Sequence, residues 1–113
     1  MQITSMTKDA SAFVERVFAV DGHEVSCRFF RPEPEGADFR CRLEIHWPEG
    51  VWTSSTWGVD EVQALFLAVN KAHVDLLSAR ENDGREVLYL GDRDLNLPFP
   101  ETVRHWVSGK DVL

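Results

Sequence analysis

The stretch LGDRDLNLPFP, Leu90 to Pro100, sets Asp92, Asp94 and Asn96 at alternate positions. Oxygen ligands at positions one, three and five are how an EF-hand cation loop begins. Such a loop also needs glycine at six and a bidentate glutamate at twelve. Here those positions are Leu97 and Val103, and Pro98 stiffens position seven. The spacing therefore predicts turn aspartates that accept hydrogen bonds from nearby backbone N–H groups. Leu95, Leu97 and Phe99 then alternate inward and seal the edge of the core. No metal is expected.

Two thiols come next. If the second and third strands pair across the 32–37 loop, Cys27 lies opposite Cys41, because each is seven residues from Pro34. Both then point to the core, as small buried hydrophobes in a reducing compartment. A disulfide is the alternative, and a metal or redox role a third, without a C-x-x-C or a histidine at zinc-ligand spacing to support it. The four histidines, His23, His46, His73 and His105, fall in no triad. His73 sits on the apolar side of a helical stretch, where a satisfied core-edge histidine is the plain reading. There is no G-x-S-x-G, no phosphate-cradling glycine loop and no H-E-x-x-H. No catalytic residue and no cofactor are assigned.

The elements that position these residues follow from periodicity. Phe13–Val20 and Glu24–Arg31 read as strands joined at Asp21-Gly22, a two-residue hairpin signal. RPEPEGAD makes a loop in which two prolines stop sheet pairing and Gly36 permits the turn. Phe39, Cys41, Leu43, Ile45 and Trp47 alternate with Arg40, Arg42, Glu44 and His46, so one face is buried and one wet. PEG at 48–50 leads into a fourth strand, Val51–Trp57. From Val62 the period changes to a helical one, with Val62, Leu65, Phe66, Val69, Ala72, Leu76 and Leu77 as the core stripe. Asp60 and Gln63 form a capping box at its start. The helix fades near Arg80, ENDG turns the chain, and Glu86–Leu90 is a short strand. Pro100 opens a final helix carrying Val103, Trp106 and Val107, topped by His105 and ending near Gly109. The fold class is α+β: two layers, an antiparallel four- to five-stranded meander, one long amphipathic helix on one face and a short C-terminal helix.

The register assigns surfaces. Arg16 faces Cys27 and points to the core side, so it must snorkel or meet a carboxylate, with Asp92 or Asp94 as candidates. Arg16, His73, Asp92 and Asp94 together could form a ligand site or a small enzyme's site at the sheet edge. The wet face of the sheet carries Glu15, Arg28, Arg40, Arg42, Glu44, His46, Trp52 and Thr56, with Trp52 opposite His46. Arg28, Arg40, Arg42, His46 and Trp52 have a protein-binding composition; an ordinary solvated face is the alternative. On the back of the helix, Leu67 and Val74, with Ala64 and Ala68 nearby, could form a dimer seam or simply be exposed.

The segments RPEPEGADFRCRLEI, GVDEVQALFLAV, YLG and DLNLP, about Arg16 to Pro98, resemble a family of small uncharacterised bacterial domains. Its marks are an R-P-x-P turn, a D-[FW]-R-C strand start and a G-x-D-x-x-Q-A-L helix start. The resemblance implies an α+β fold and no known activity.

The bulk numbers bound the rest. At 113 residues, 43% hydrophobic, the chain fits one domain with a real core. A net charge of −7 argues against nucleic acid and suits a basic protein partner. The first residues lack a leader pattern, and no apolar run approaches the ~20 residues that span a bilayer; a cytoplasmic location is expected. The reading is a non-catalytic protein-binding domain, of immunity or antitoxin type by analogy of size and charge.

Overall fold

A computed structural model describes residues 12–108. The expectations on the leader and on a helix end at Gly109 lie outside the described residues. The order is β1 (Ala12–Val20), β2 (His23–Phe30), β3 (Glu33–Glu35), β4 (Asp38–Trp47), β5 (Gly50–Gly58), α1 (Glu61–Asp83), β6 (Val87–Leu88), a 3-10 turn (Glu101–Val103) and α2 (Arg104–Ser108). The sheet is antiparallel, with β5, β4, β2, β1 and β6 side by side and β3 on the β2 side of β4. This is the expected α+β architecture.

The first hairpin follows its local chemistry. Asp21 (φ 51°) and Gly22 (φ 83°) both take the left-handed backbone that a type I′ turn requires. Val20 faces His23, Phe18 faces Val25 and Arg16 faces Cys27, as the turn predicts. Asp21 also ties this end down, its Oδ1 accepting from the Glu86 N–H at 2.8 Å beside the start of β6.

The RPEPEGAD segment is not a plain loop. Pro34 pairs with Phe39 inside β3, and the chain reverses at Gly36-Ala37. Proline is tolerated there because β3 is at an edge, where its missing N–H costs nothing. The early reversal, plus a one-residue slip between β3 and β2, sets Cys27 opposite Ile45 rather than Cys41. That is a four-residue shift, which preserves parity, so both thiols still face the core; both are free and fully buried.

The helix starts as its cap predicts. Asp60 Oδ1 accepts from the Gln63 N–H at 2.8 Å, and Gln63 Oε1 accepts from the Val59 N–H at 2.7 Å. It runs three residues beyond Arg80, closing on Gly84. Its buried face differs from the expected stripe. In its first turns Ala64 and Ala68 are fully buried in place of Val62 and Phe66, which are exposed, while Ala72, Leu76 and Leu77 are buried and Leu65 and Val69 pack against the core as expected. The cause is close approach: a Cβ on Gly58 would meet the Ala64 amide nitrogen and lie 2.8 Å from the Gln63 carbonyl carbon. Thr56 Oγ1 donates to the Ala64 carbonyl at 2.8 Å. Only small side chains fit so near a sheet, so the alanine ridge faces β4 and β5 while the larger residues flank it. Further along the helix, Leu76 and Leu77 join Phe18, Val25, Leu43 and Ile45 in the core. Each such side chain contributes roughly 1.5–3 kcal/mol.

β6 has two residues, shorter than the expected Glu86–Leu90. Leu95 is buried and Leu97 and Phe99 pack against the core, as the alternation predicts.

Candidate functional site

Two regions gather the residues singled out above. The first is the segment after β6. Asp92 Oδ1 accepts from the Asp94 N–H at 3.0 Å, and Asp94 Oδ1 from the Asn96 N–H at 2.9 Å. These are successive turn bonds within the loop. Arg16 reaches the same loop, but its partners are backbone carbonyls rather than either aspartate. One Nη donates to Leu95 O and to Asn96 O, both at 2.9 Å, and the guanidinium lies 4.3 Å from the Tyr89 ring centroid. His73 is buried, its Nδ1 bonded to the Pro98 carbonyl at 3.1 Å, its ring edge-on to Phe99. Burial lowers the His73 pKa, against an opposing pull from its bonds to the Pro98 and Leu97 backbone. The four residues thus converge on one segment, each bonded to its backbone. Of the four, only Arg16 lines the cavity beside it, about 310 Å³ among Val14, Phe29, Val69 and Leu97. Among the described residues no group of three or more His, Cys, Asp or Glu side chains could hold a metal ion.

The thiols offer no chemistry. Burial pushes Cys27 up to about 12, aided by Asp75 and opposed by Arg16. Burial also raises Cys41, whose Sγ donates to the Phe30 carbonyl. Thiolate is the reactive form, so neither is a nucleophile as folded.

The second region is the open face of the sheet. Glu15, Arg28, Arg40, Arg42, Glu44 and His46 occupy it, as the register predicts. Trp52 and Thr56 do not. β4 and β5 turn on Pro48-Glu49 alone, so Trp47 pairs with Gly50, His46 with Val51 and Ile45 with Trp52. One residue of slip sends each β5 side chain to the other face. Trp52 therefore lies under the helix, with Lys71 Nζ 5.2 Å from its ring centroid. Its place on the open face is taken by Trp57, opposite Arg40 and half exposed, with Nε1 donating to Glu35 Oε1 at 3.2 Å.

Charge is unevenly paired across this face. Arg28 Nε donates to Glu15 at 3.0 Å, and His46 Nε2 bonds Glu44 Oε1 at 2.9 Å. At the β3 end, Arg31, Arg40 and Arg42 line a shallow cleft of about 80 Å³ with Phe30 and Glu33. Arg42 stacks 4.0 Å from the Phe30 ring centroid, Arg31 lies 4.9 Å from that of Phe13, and Arg40 Nε donates to Ser55 Oγ at 2.9 Å. None of these three is ion-paired to a carboxylate among the described residues. Ring contacts hold Arg31 and Arg42, and the hydroxyl bond holds Arg40. Sequence reasoning missed Arg31, Phe30 and Trp57. One signal was available: Trp52 and Trp57 are five apart, so one of them must face outward in either register.

Leu67 and Val74 part company: Leu67 is exposed, whereas Val74 is half-buried against the core, and Ala64 and Ala68 lie beneath the helix rather than behind it. A further cavity of about 240 Å³ under the helix C-terminal half brings Trp47 and Trp52 near Asp75 and Arg85. Lys71 and Arg85 of the chain itself already cover the two indoles.

The chain belongs to a family known as a domain of unknown function (DUF6968), whose model matches residues 14–100. No curated protein and no solved structure matches it. No helix among the described residues is long and apolar enough to cross a membrane.

Proposed function

We propose that this domain binds an acidic segment of another protein through the open face of its sheet, with Arg31, Arg40 and Arg42 as the anchor. The observation that carries the reading is three guanidiniums around one cleft, none of them ion-paired to a carboxylate among the described residues, in a chain of net charge −7. Arginine forks match carboxylate geometry, and arginine and tryptophan are the residues most enriched at binding hot spots. Trp57, half exposed, supplies apolar surface beside the charge. Net charge by itself suggests a basic partner, as an immunity-type protein would meet. The local face points the other way, because contact specificity is set by the groups that touch.

The test is titration with a glutamate-rich peptide, a lysine-rich peptide of equal length and inorganic phosphate, followed by calorimetry. The expected result is binding of the acidic peptide only, weakened by salt, and reduced at least tenfold by Arg40→Ala with Arg42→Ala. Equal binding by that double variant, or preference for the lysine peptide, removes the arginine face as the site.

A further inference from the structure

β5 is nine residues long and lies at the sheet edge; its outer side meets no strand among the described residues. Its sequence, GVWTSSTWG, contains no charge and no proline. Edge strands are ordinarily kept from pairing by lysine, proline or a bulge. β5 has none of these, since its register with β4 runs unbroken from Phe39–Gly58 to Trp47–Gly50. Alternate N–H and C=O groups along it therefore face outward without a strand partner.

We infer that β5 pairs antiparallel with β5 of a second copy of this chain, about a two-fold axis normal to the sheet at Ser54. Symmetry restricts the register. Cross-strand neighbours share a face, and such an axis keeps each face on its own side. It therefore pairs even residues with even and odd with odd, and must pass through one residue. Centred on Ser54, Val51 meets Trp57 of the second copy on the open face, and does so twice. Trp52 meets Thr56 on the helix face, and glycine meets glycine at the ends. Val51 and Trp57 are 57% and 51% exposed, so this register covers both, and aromatic with β-branched is a favourable cross-strand pair. Centred on Ser55, Trp52 meets only Gly58 and Val51 falls opposite Val59, beyond the strand.

A second copy suits this edge better than a charged partner, because a neutral strand offers a charged segment nothing to pair with. The helix adds to the seam. Lys71 leans over Trp52 and so marks the β5 side of α1. Leu67, one turn earlier and exposed, lies on that same side. The axis puts both helices on one side of a continuous sheet and both arginine faces on the other. The inference does not rest on what those arginines bind.

Sedimentation of the full chain over about three decades of concentration reads the association. A species of twice the 12.9 kDa chain mass should accumulate. Val51→Lys with Thr53→Lys should abolish it while leaving peptide binding by Arg40 and Arg42 in place. Ser54→Cys should give a disulfide-linked dimer under mild oxidation, because the residue meets its own copy on the axis, and Ser55→Cys should not. Cys27 and Cys41 are buried and do not interfere. A monomer throughout overturns the proposal. So does a dimer that survives the lysine pair, or cross-linking by Ser55→Cys in place of Ser54→Cys. If the lysine variant melts below its parent and fails to fold, the two cysteine variants decide alone.

Discussion

At the scale of single residues, the chemistry that looked reactive is spent on holding one segment. Arg16 binds two carbonyls of the 95–96 backbone. Arg16→Met strands both acceptors and should cost about 1–3 kcal/mol in urea unfolding, with the 90–99 segment cut sooner by protease. His73 gives a pH signature. Its folded pKa lies below the unfolded value, so protonation favours the unfolded chain. Its stabilising effect is complete above about 6.5 and is lost as pH falls from there toward the folded value. His73→Asn keeps a donor toward Pro98 without the titration. Between about pH 7.5 and 5 the wild type should lose stability more steeply than this variant in chemical melts; parallel curves would remove His73 as the cause. The residue types of Arg16 and His73, and the core-side placement of Arg16 through an unambiguous Asp-Gly turn, were legible in the sequence. Their partners were not, because nothing local says whether a carboxylate or a carbonyl will reach a guanidinium 79 residues away.

At the scale of elements, two registers and one helix phase decide which side chains matter. A two-residue turn at Pro48-Glu49 rather than a three-residue one places Trp52 under the helix and Trp57 outside. The pattern of β5 could not reveal this, since VWTSSTW is neither clearly alternating nor clearly apolar. The first turns of the helix depart from the expected stripe for a related reason. Hydrophobicity favours Val62 and Phe66 as core, but the gap above Gly58 admits only alanine. Gly58→Ala should therefore destabilise by about 1–3 kcal/mol through overpacking, measured by thermal melting. A neutral outcome would mean that α1 can shift away from β5. The capping box and the first hairpin were legible because each is fixed within a few residues by backbone hydrogen bonding.

At the scale of the whole molecule, charge is segregated. The chain carries −7 overall, yet three arginines share one cleft and β5 has no charge. The two proposed associations should respond to salt in opposite senses. Arginine–carboxylate contact weakens as ions screen it, while two copies of like charge approach more easily. Raising ionic strength from about 0.05 to about 0.5 M should lower peptide affinity and strengthen self-association. A self-association weakened by salt would count against a neutral edge as its seam.

Properties controlled by local physics could be read from the residues in order. These are the α+β class, the β1–β2 hairpin register, the start of α1, the thiols' inward direction and the likeness to an uncharacterised domain family. Tertiary structure alone decided the rest. It turned the chain at Gly36-Ala37, moved Cys27 away from Cys41, exchanged Trp52 for Trp57, set alanines against the sheet and brought Arg31 beside Arg40 and Arg42. Each of these depends on counting residues around a turn or on the clearance between layers. A single residue's difference there reverses a face, and no residue's own chemistry records it.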